Sequence, residues 1–172
     1  MENLTKPFLE KAEETKANLL TCLRKCYPDQ VIDLFIKGVT IHRTYDGTDS
    51  YEKLVFTFEM TIRELSGYPY NRSNHFEVDY LEQGEWIDKI KELAKTPFKY
   101  SKDDLLIIPN KDKGTYQYCR VFDRYRTLKY RIGIVDTDSL HNQNTYKVKC
   151  YDGTERDIYE GKLFQHQDYK SI

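Results

Sequence analysis

The sequence predicts an α+β protein: an N-terminal module of a helix, a three-stranded antiparallel sheet and a second helix, followed by a small all-β region. Three observations predict it. Apolar residues recur at three- and four-residue steps between residues 4 and 26, the period of an amphipathic helix. From Leu54 to Ile62 they alternate with polar residues, the period of a strand. Beyond Pro97 no helical period remains.

The first helix carries Leu4, Phe8, Ala12, Thr15, Leu19, Cys22, Leu23 and Cys26 on one stripe. Thr5 reads as its N-cap, and Pro7 fits the first turn, where a missing N–H costs little. Pro28 in "CYPDQ" ends it. "VIDLFIKG" suits a helical turn through Val31, Leu34 and Phe35, or a strand through Ile32, Leu34 and Ile36; the helical turn is the preferred reading. A hairpin follows, with "VTIHRTY" and "YEKLVFTFEMTIR" on either side of "DGTDS". In its second arm Leu54, Phe56, Phe58, Met60 and Ile62 share a face. "SGYPYNRSN" reads as a loop, and "HFEVDYL" as a third strand with Phe76, Val78 and Tyr80 inward. "EWIDKIKELAK" is a second helix, stopping before Thr96-Pro97. The domain boundary is placed there, giving residues 1–97 and 98–172.

The order helix, three strands, helix is similar to that of a double-stranded RNA-binding domain. That family grips phosphate at the start of its last helix. Glu82, Glu85 and Asp88 stand there in this chain and would repel phosphate, so the likeness is one of order.

The second region offers "DLLIIP", "TYQYCRVF", "LKYRIGIVDTD", "TYKVKCYDG" and "ERDIYEGKLF" as short strands, with a tight turn at Asp152-Gly153. Gly133, Val135, Val148, Tyr151, Asp152, Gly153, Ile158 and Leu163 fall in a pattern that resembles the core of an SH3-like barrel of the Tudor or KOW type. The resemblance covers about 40 residues and implies a small closed barrel. Its Tudor variant would imply an aromatic cage for a methylated side chain, with Tyr130, Tyr146, Tyr151 and Tyr159 as possible walls.

Charge divides the chain as well. Residues 1–97 hold 13 basic and 17 acidic residues, a net of −4, and residues 98–172 hold 14 and 11, a net of +3. Between Lys111 and Arg131 seven basic residues face Asp112 and Asp123 alone, so a total of −1 conceals a basic segment. On a strand Tyr116, Tyr118, Arg120 and Phe122 would share one face, with Cys119 and Val121 opposite. Arg124, Arg126 and Lys129 are placed in or near a connecting turn, where reversing Arg124 and Arg126 to Glu would cost little stability. The expected contact surface is therefore Arg120, Arg124, Arg126, Lys129 and Arg131, with Tyr116 and Tyr118 beside them.

Guanidinium groups next to aromatic rings suit a non-enzymatic binding module for nucleic acid or a nucleoprotein complex. The alternative is a protein-interaction factor, an adaptor or inhibitor with an acidic partner, since arginine and tyrosine also anchor protein interfaces. In composition the chain resembles small tyrosine- and lysine-rich accessory proteins of phages and mobile elements, some of which block host defence nucleases.

Catalytic patterns are weak. Asp152, Glu160 and Lys162 imitate the acid and Glu-x-Lys of a metal-dependent nuclease, but "IYEGKLF" lacks the long apolar context of a buried central strand. His42, His75, His141 and His166 have no nucleophile at motif spacing, and Gly161-Lys162 lacks the rest of a phosphate loop. No enzyme activity, metal or cofactor is expected. Cys22, Cys26, Cys119 and Cys150 form no CxxC and read as free thiols. With no apolar run of membrane length and no signal core, an intracellular, cytoplasmic protein is expected, with no membrane partner.

Overall fold

A computed structural model describes residues 2–47, 49–64, 72–130 and 136–169. In chain order these form α1 (Glu2–Cys26), β1 (Gln30–Asp46), β2 (Asp49–Glu64), β3 (Arg72–Asp79), α2 (Gln83–Leu93), β4 (Leu105–Asn110), β5 (Thr115–Tyr130), β6 (Leu140–Cys150) and β7 (Glu155–Tyr159). The class is α+β, with two antiparallel sheets of order β1-β2-β3 and β4-β5-β6-β7. Contacts divide the chain into two units. One is Met1–Lys95 with Leu128–His141, the other Thr96–Thr127 with Asn142–Ile172.

The first unit is built on the alternation of β2. Phe56, Phe58, Met60 and Ile62 point to one face and are buried there by Ala12, Leu19 and Leu23 of α1, Trp86 and Ile90 of α2, and Phe76 and Val78 of β3. A sheet with one apolar face needs such a cover, and the helical stripes supply it. The first helix begins at Glu2, earlier than expected, so Pro7 lies inside it and Thr5 is not its cap.

Residues 31–37 are strand, not the helical turn preferred from sequence. The reason is a one-residue slip. Ile32 and Leu34 pair with Ile62 and Met60, the register shifts between Ile36 and Gly38, and Val39 and Ile41 then pair with Phe56 and Leu54. Even-numbered apolar residues before the bulge and odd-numbered ones after it thus reach the same face. In one dimension the slip breaks the period of two and imitates a helix. The hairpin turn contains Gly47 at φ +63, a left-handed conformation that glycine adopts without steric cost.

The second unit places Leu106, Ile108, Cys119, Val121, Tyr146, Val148, Ile158 and Leu163 in one core. Turns are set by Gly114 at φ +62 and Gly153 at φ +88. The Asp152 carboxylate accepts from the Thr154 N–H and hydroxyl, which also holds its pKa below the usual carboxylate value. The expected turn at residues 124–129 is absent. β5 runs unbroken from Thr115 to Tyr130, because this stretch has neither glycine nor proline and is rich in strand formers. Nor is a closed barrel formed among the described residues: four strands make a sheet, and a single bridge joins Ile107 to Phe164. Of the residues that carried the SH3-like resemblance, Val148, Ile158 and Leu163 are buried and Tyr151 is exposed. Gly133 and Val135 lie outside the described residues.

Candidate recognition surface

The basic-aromatic segment is β5, and its alternation in residues 116–122 follows expectation. Cys119 and Val121 are fully buried, while Tyr116 and Phe122 are 42% and 44% exposed. Tyr118 sits between two rings. Its centroid lies 5.5 Å from that of Tyr116 and 6.2 Å from that of Tyr151, both near-perpendicular. A hydrogen bond with Tyr116 raises the Tyr118 pKa above that of an ordinary phenol. His166 lies 5.9 Å from Tyr116 and 5.8 Å from Tyr118, and Tyr169 lies 5.9 Å from Tyr116. Phe164 lies 5.9 Å from Tyr169, so six rings form one continuous cluster on the second unit.

The arginines separate into two groups. Arg120 lies beside the tyrosines, exposed, with one guanidinium N–H donated to the Asp103 carbonyl at 2.7 Å. Arg124 and Arg126 are half-buried and occupied. Arg124 donates to the Tyr100 carbonyl at 2.6 Å, and Arg126 Nε donates to the Thr96 carbonyl at 3.1 Å. Both guanidinium groups lie over the Phe98 ring, at 4.6 and 4.5 Å from its centroid. They clasp the segment that leads into β4. This corrects the expectation that they are dispensable turn residues. Lys129 is half-buried and grouped with the first unit, and Arg131 lies outside the described residues.

The same leading segment is held from its other side. The Tyr100 N–H donates to the Tyr146 hydroxyl at 3.2 Å, and the Tyr100 hydroxyl donates to the Leu163 carbonyl at 2.8 Å. Asn144 Nδ2 donates to the Pro97 carbonyl at 2.9 Å. The Tyr146 hydroxyl donates in turn to Glu160, which also accepts from the Lys99 N–H and from Asn144. Burial, with this bond to Glu160, pushes the Tyr146 phenol up to about 12.

These placements bear on the other candidate sites. Glu160 is engaged in that network and Asp152 in the β6–β7 turn. Among the described residues no three His, Cys, Asp or Glu side chains stand where they could hold a metal ion together. Of the four tyrosines proposed as cage walls, Tyr130 and Tyr146 are buried in different cores, and Tyr151 joins the ring cluster through Tyr118. All four cysteines are free thiols. No described helix is long and apolar enough to cross a membrane.

Sequence reasoning missed the remaining members of this surface. His166 and Tyr169 come from the far end of the chain and carry no pattern that links them to β5. Lys149 was legible, since in "TYKVKCYDG" Lys147, Lys149 and Tyr151 alternate with the buried Tyr146, Val148 and Cys150.

The class of molecule these features define is an α+β protein with an exposed aromatic and basic sheet face. No protein-family model, curated protein or solved structure matches this chain.

Proposed function

We propose that the second unit is a non-enzymatic nucleic-acid recognition module acting through the outer face of its sheet. One observation carries the reading: the exposed rings of Tyr116, Phe122 and Tyr151, with the half-buried Tyr118 between Tyr116 and Tyr151, stand among the cations Arg120 and Lys149. Lys111 and Lys113 add positive charge in the turn before Tyr116. Rings can stack on bases and cations can neutralise phosphates, the two needs of a nucleic-acid groove. The surface differs from the one first expected. Arg124 and Arg126 are left out of it, and Tyr151 and Lys149 are brought in.

An SH3-like fold for this unit is part of the proposal. It is supported by a short 3-10 turn at Glu160–Lys162 after β7. Phe164 then returns to the free edge of β4, where it exchanges two backbone hydrogen bonds with Ile107 at 2.9 and 3.2 Å.

The test is a salt titration of binding to short labelled DNA and RNA. Affinity should fall steeply with salt, because each neutralised phosphate releases counterion. Lys113→Glu with Lys149→Glu should weaken binding more than tenfold. If no oligonucleotide binds at low salt, the reading fails. A protein partner would then be the better account of the same rings, with Leu105 and Phe122 as apolar anchors.

A further inference from the structure

Beside the tyrosine cluster the outer face of the second unit dips into a groove of about 380 Å³, at the small end of the sizes that hold ligands, roughly 300–1,000 Å³. Leu105, Phe122 and Tyr151 line it with apolar and aromatic surface, and Arg120, Lys149 and Asp103 line it with charge. Its three large apolar side chains are 44%, 44% and 76% exposed, a concentration of apolar surface that marks interaction sites.

Resting on the nucleic-acid reading above, we infer that this groove seats one unpaired base of a single strand, with the flanking phosphates against Arg120 and Lys149. Three features of the groove support this occupant. First, a duplex hides its base faces in the stack and offers only edges, so rings that line a groove can stack only on a base free of its partner. Second, two cations against one carboxylate favour an anionic chain over an acidic-residue-poor peptide. Third, the floor is fixed in advance. Asp103 is the one non-glycine residue of positive φ among the described residues, at +72, and residues held in such conformations concentrate at ligand clamps. Its N–H donates to the Val121 carbonyl at 2.7 Å, and its own carbonyl receives Arg120. Arg120 is therefore oriented before any ligand arrives, which lowers the ordering cost of binding. Tyr118 and Tyr116 continue the row from Tyr151 and would take neighbouring bases.

The test uses the full chain and labelled ten-nucleotide single strands of DNA and RNA of mixed sequence. The competitors are the matching duplex and a strand of the same length without bases. The single strand should bind at least tenfold more tightly than either competitor. Phe122→Ala and Tyr151→Ala should each weaken single-strand binding roughly 5- to 100-fold, while Tyr151→Phe retains it. Tyr151 lies on an exposed turn, so its variants report on binding even if Phe122→Ala perturbs folding. If the duplex and the baseless strand bind as tightly as the single strand, or if the Tyr151→Ala variant binds like the natural chain, the groove seats no base. The module then reads only the backbone, and the nucleic-acid reading stands without this inference. If no strand of any kind binds, both fall together.

Discussion

Residues 115–123 and 124–130 are consecutive halves of one strand, and both mix basic side chains with tyrosine. In the first half the rings and Arg120 face outward, with Tyr116, Arg120 and Phe122 exposed and Tyr118 half-buried. In the second half the guanidinium groups turn onto Phe98 and onto the carbonyls of Thr96 and Tyr100. The difference lies in what each half can reach. An arginine near free backbone carbonyls and a ring, on a segment that has no strand partners of its own, is drawn into structure, because those carbonyls would otherwise need water. An arginine beyond that reach keeps most of its donors for solvent or a ligand.

The largest effect is expected where the clasp is broken. Replacing Arg124 and Arg126 together by Glu removes two charge-assisted hydrogen bonds and two cation–π contacts, and sets carboxylates against carbonyl oxygens. The loss should be about 4 kcal/mol, a large part of a typical total stability of about 5–15 kcal/mol. A thermal midpoint lower by about 10 °C is the expected reading. A midpoint within a degree of the natural chain would return these arginines to the exposed surface first expected of them.

The opposite side of the clasped segment can be attacked with pH, since guanidinium groups keep their charge where a phenol loses its proton. Burial raises the Tyr146 phenol to about 12, so the fold favours the neutral form. That stabilisation is complete below the ordinary phenol value of about 10 and is lost as pH rises from 10 to 12, an amount of about 2–3 kcal/mol. The buried thiols of Cys119, raised to about 12, and Cys22, raised to about 11, act in the same direction from about pH 9 upward. Urea denaturation at a series of pH values should show stability falling through this range. In Tyr146→Phe the fall above pH 10 should be shallower by that amount. An unchanged slope would mean that Tyr146 does not hold the segment in its neutral form.

The sequence carried the parts of this arrangement that depend on local period. The alternation from Leu54 to Ile62 defined β2 and its buried face, and the alternation from Tyr116 to Phe122 defined the outward row of β5. What was hidden depended on partners distant in the chain. Nothing within "DRYR" announces that Phe98 lies beneath its arginines, and without that knowledge the cluster of charge resembles a turn. In β1 the extra residue near Gly38 obscured the period, and only pairing with β2 shows how the phase is restored. The barrel expected from "YRIGIVDTD" and the strands after it is reduced, among described residues, to a sheet and one bridge.

A smaller effect should come from Arg120, which stands between the two behaviours. It makes one hydrogen bond to the Asp103 carbonyl and is otherwise exposed. Arg120→Ala should cost about 1 kcal/mol of stability, less than either clasp arginine, because solvent can replace the donor at an exposed carbonyl. It should weaken nucleic-acid binding by a larger factor than it lowers stability. Denaturation and binding measured on the same preparation would separate the two. If stability falls as far as in the Arg124 and Arg126 reversal, Arg120 belongs to the clasp and the division of β5 is misplaced.

The smallest effect on stability is expected at the end of the exposed row. Tyr151 is 76% exposed, its ring meeting Tyr118 edge-on. An edge-to-face pair is worth about 0.5–1.5 kcal/mol when buried, and solvent on the outer face reduces what this one contributes. Substitutions away from buried features usually stay within about 0.5 kcal/mol. Tyr151→Ala should therefore leave the thermal midpoint within about 2 °C of the natural chain. The backbone of the turn does not depend on the ring. Gly153 supplies the left-handed residue, the Asp152 carboxylate caps Thr154, and the Cys150 N–H donates to the Thr154 carbonyl at 2.8 Å. A conserved midpoint with lost binding is the signature of a ring held outward for a ligand. A midpoint lowered by as much as in the clasp reversal would show that the clustered rings are a core of their own, and that the outward-facing half of β5 is as structural as the other.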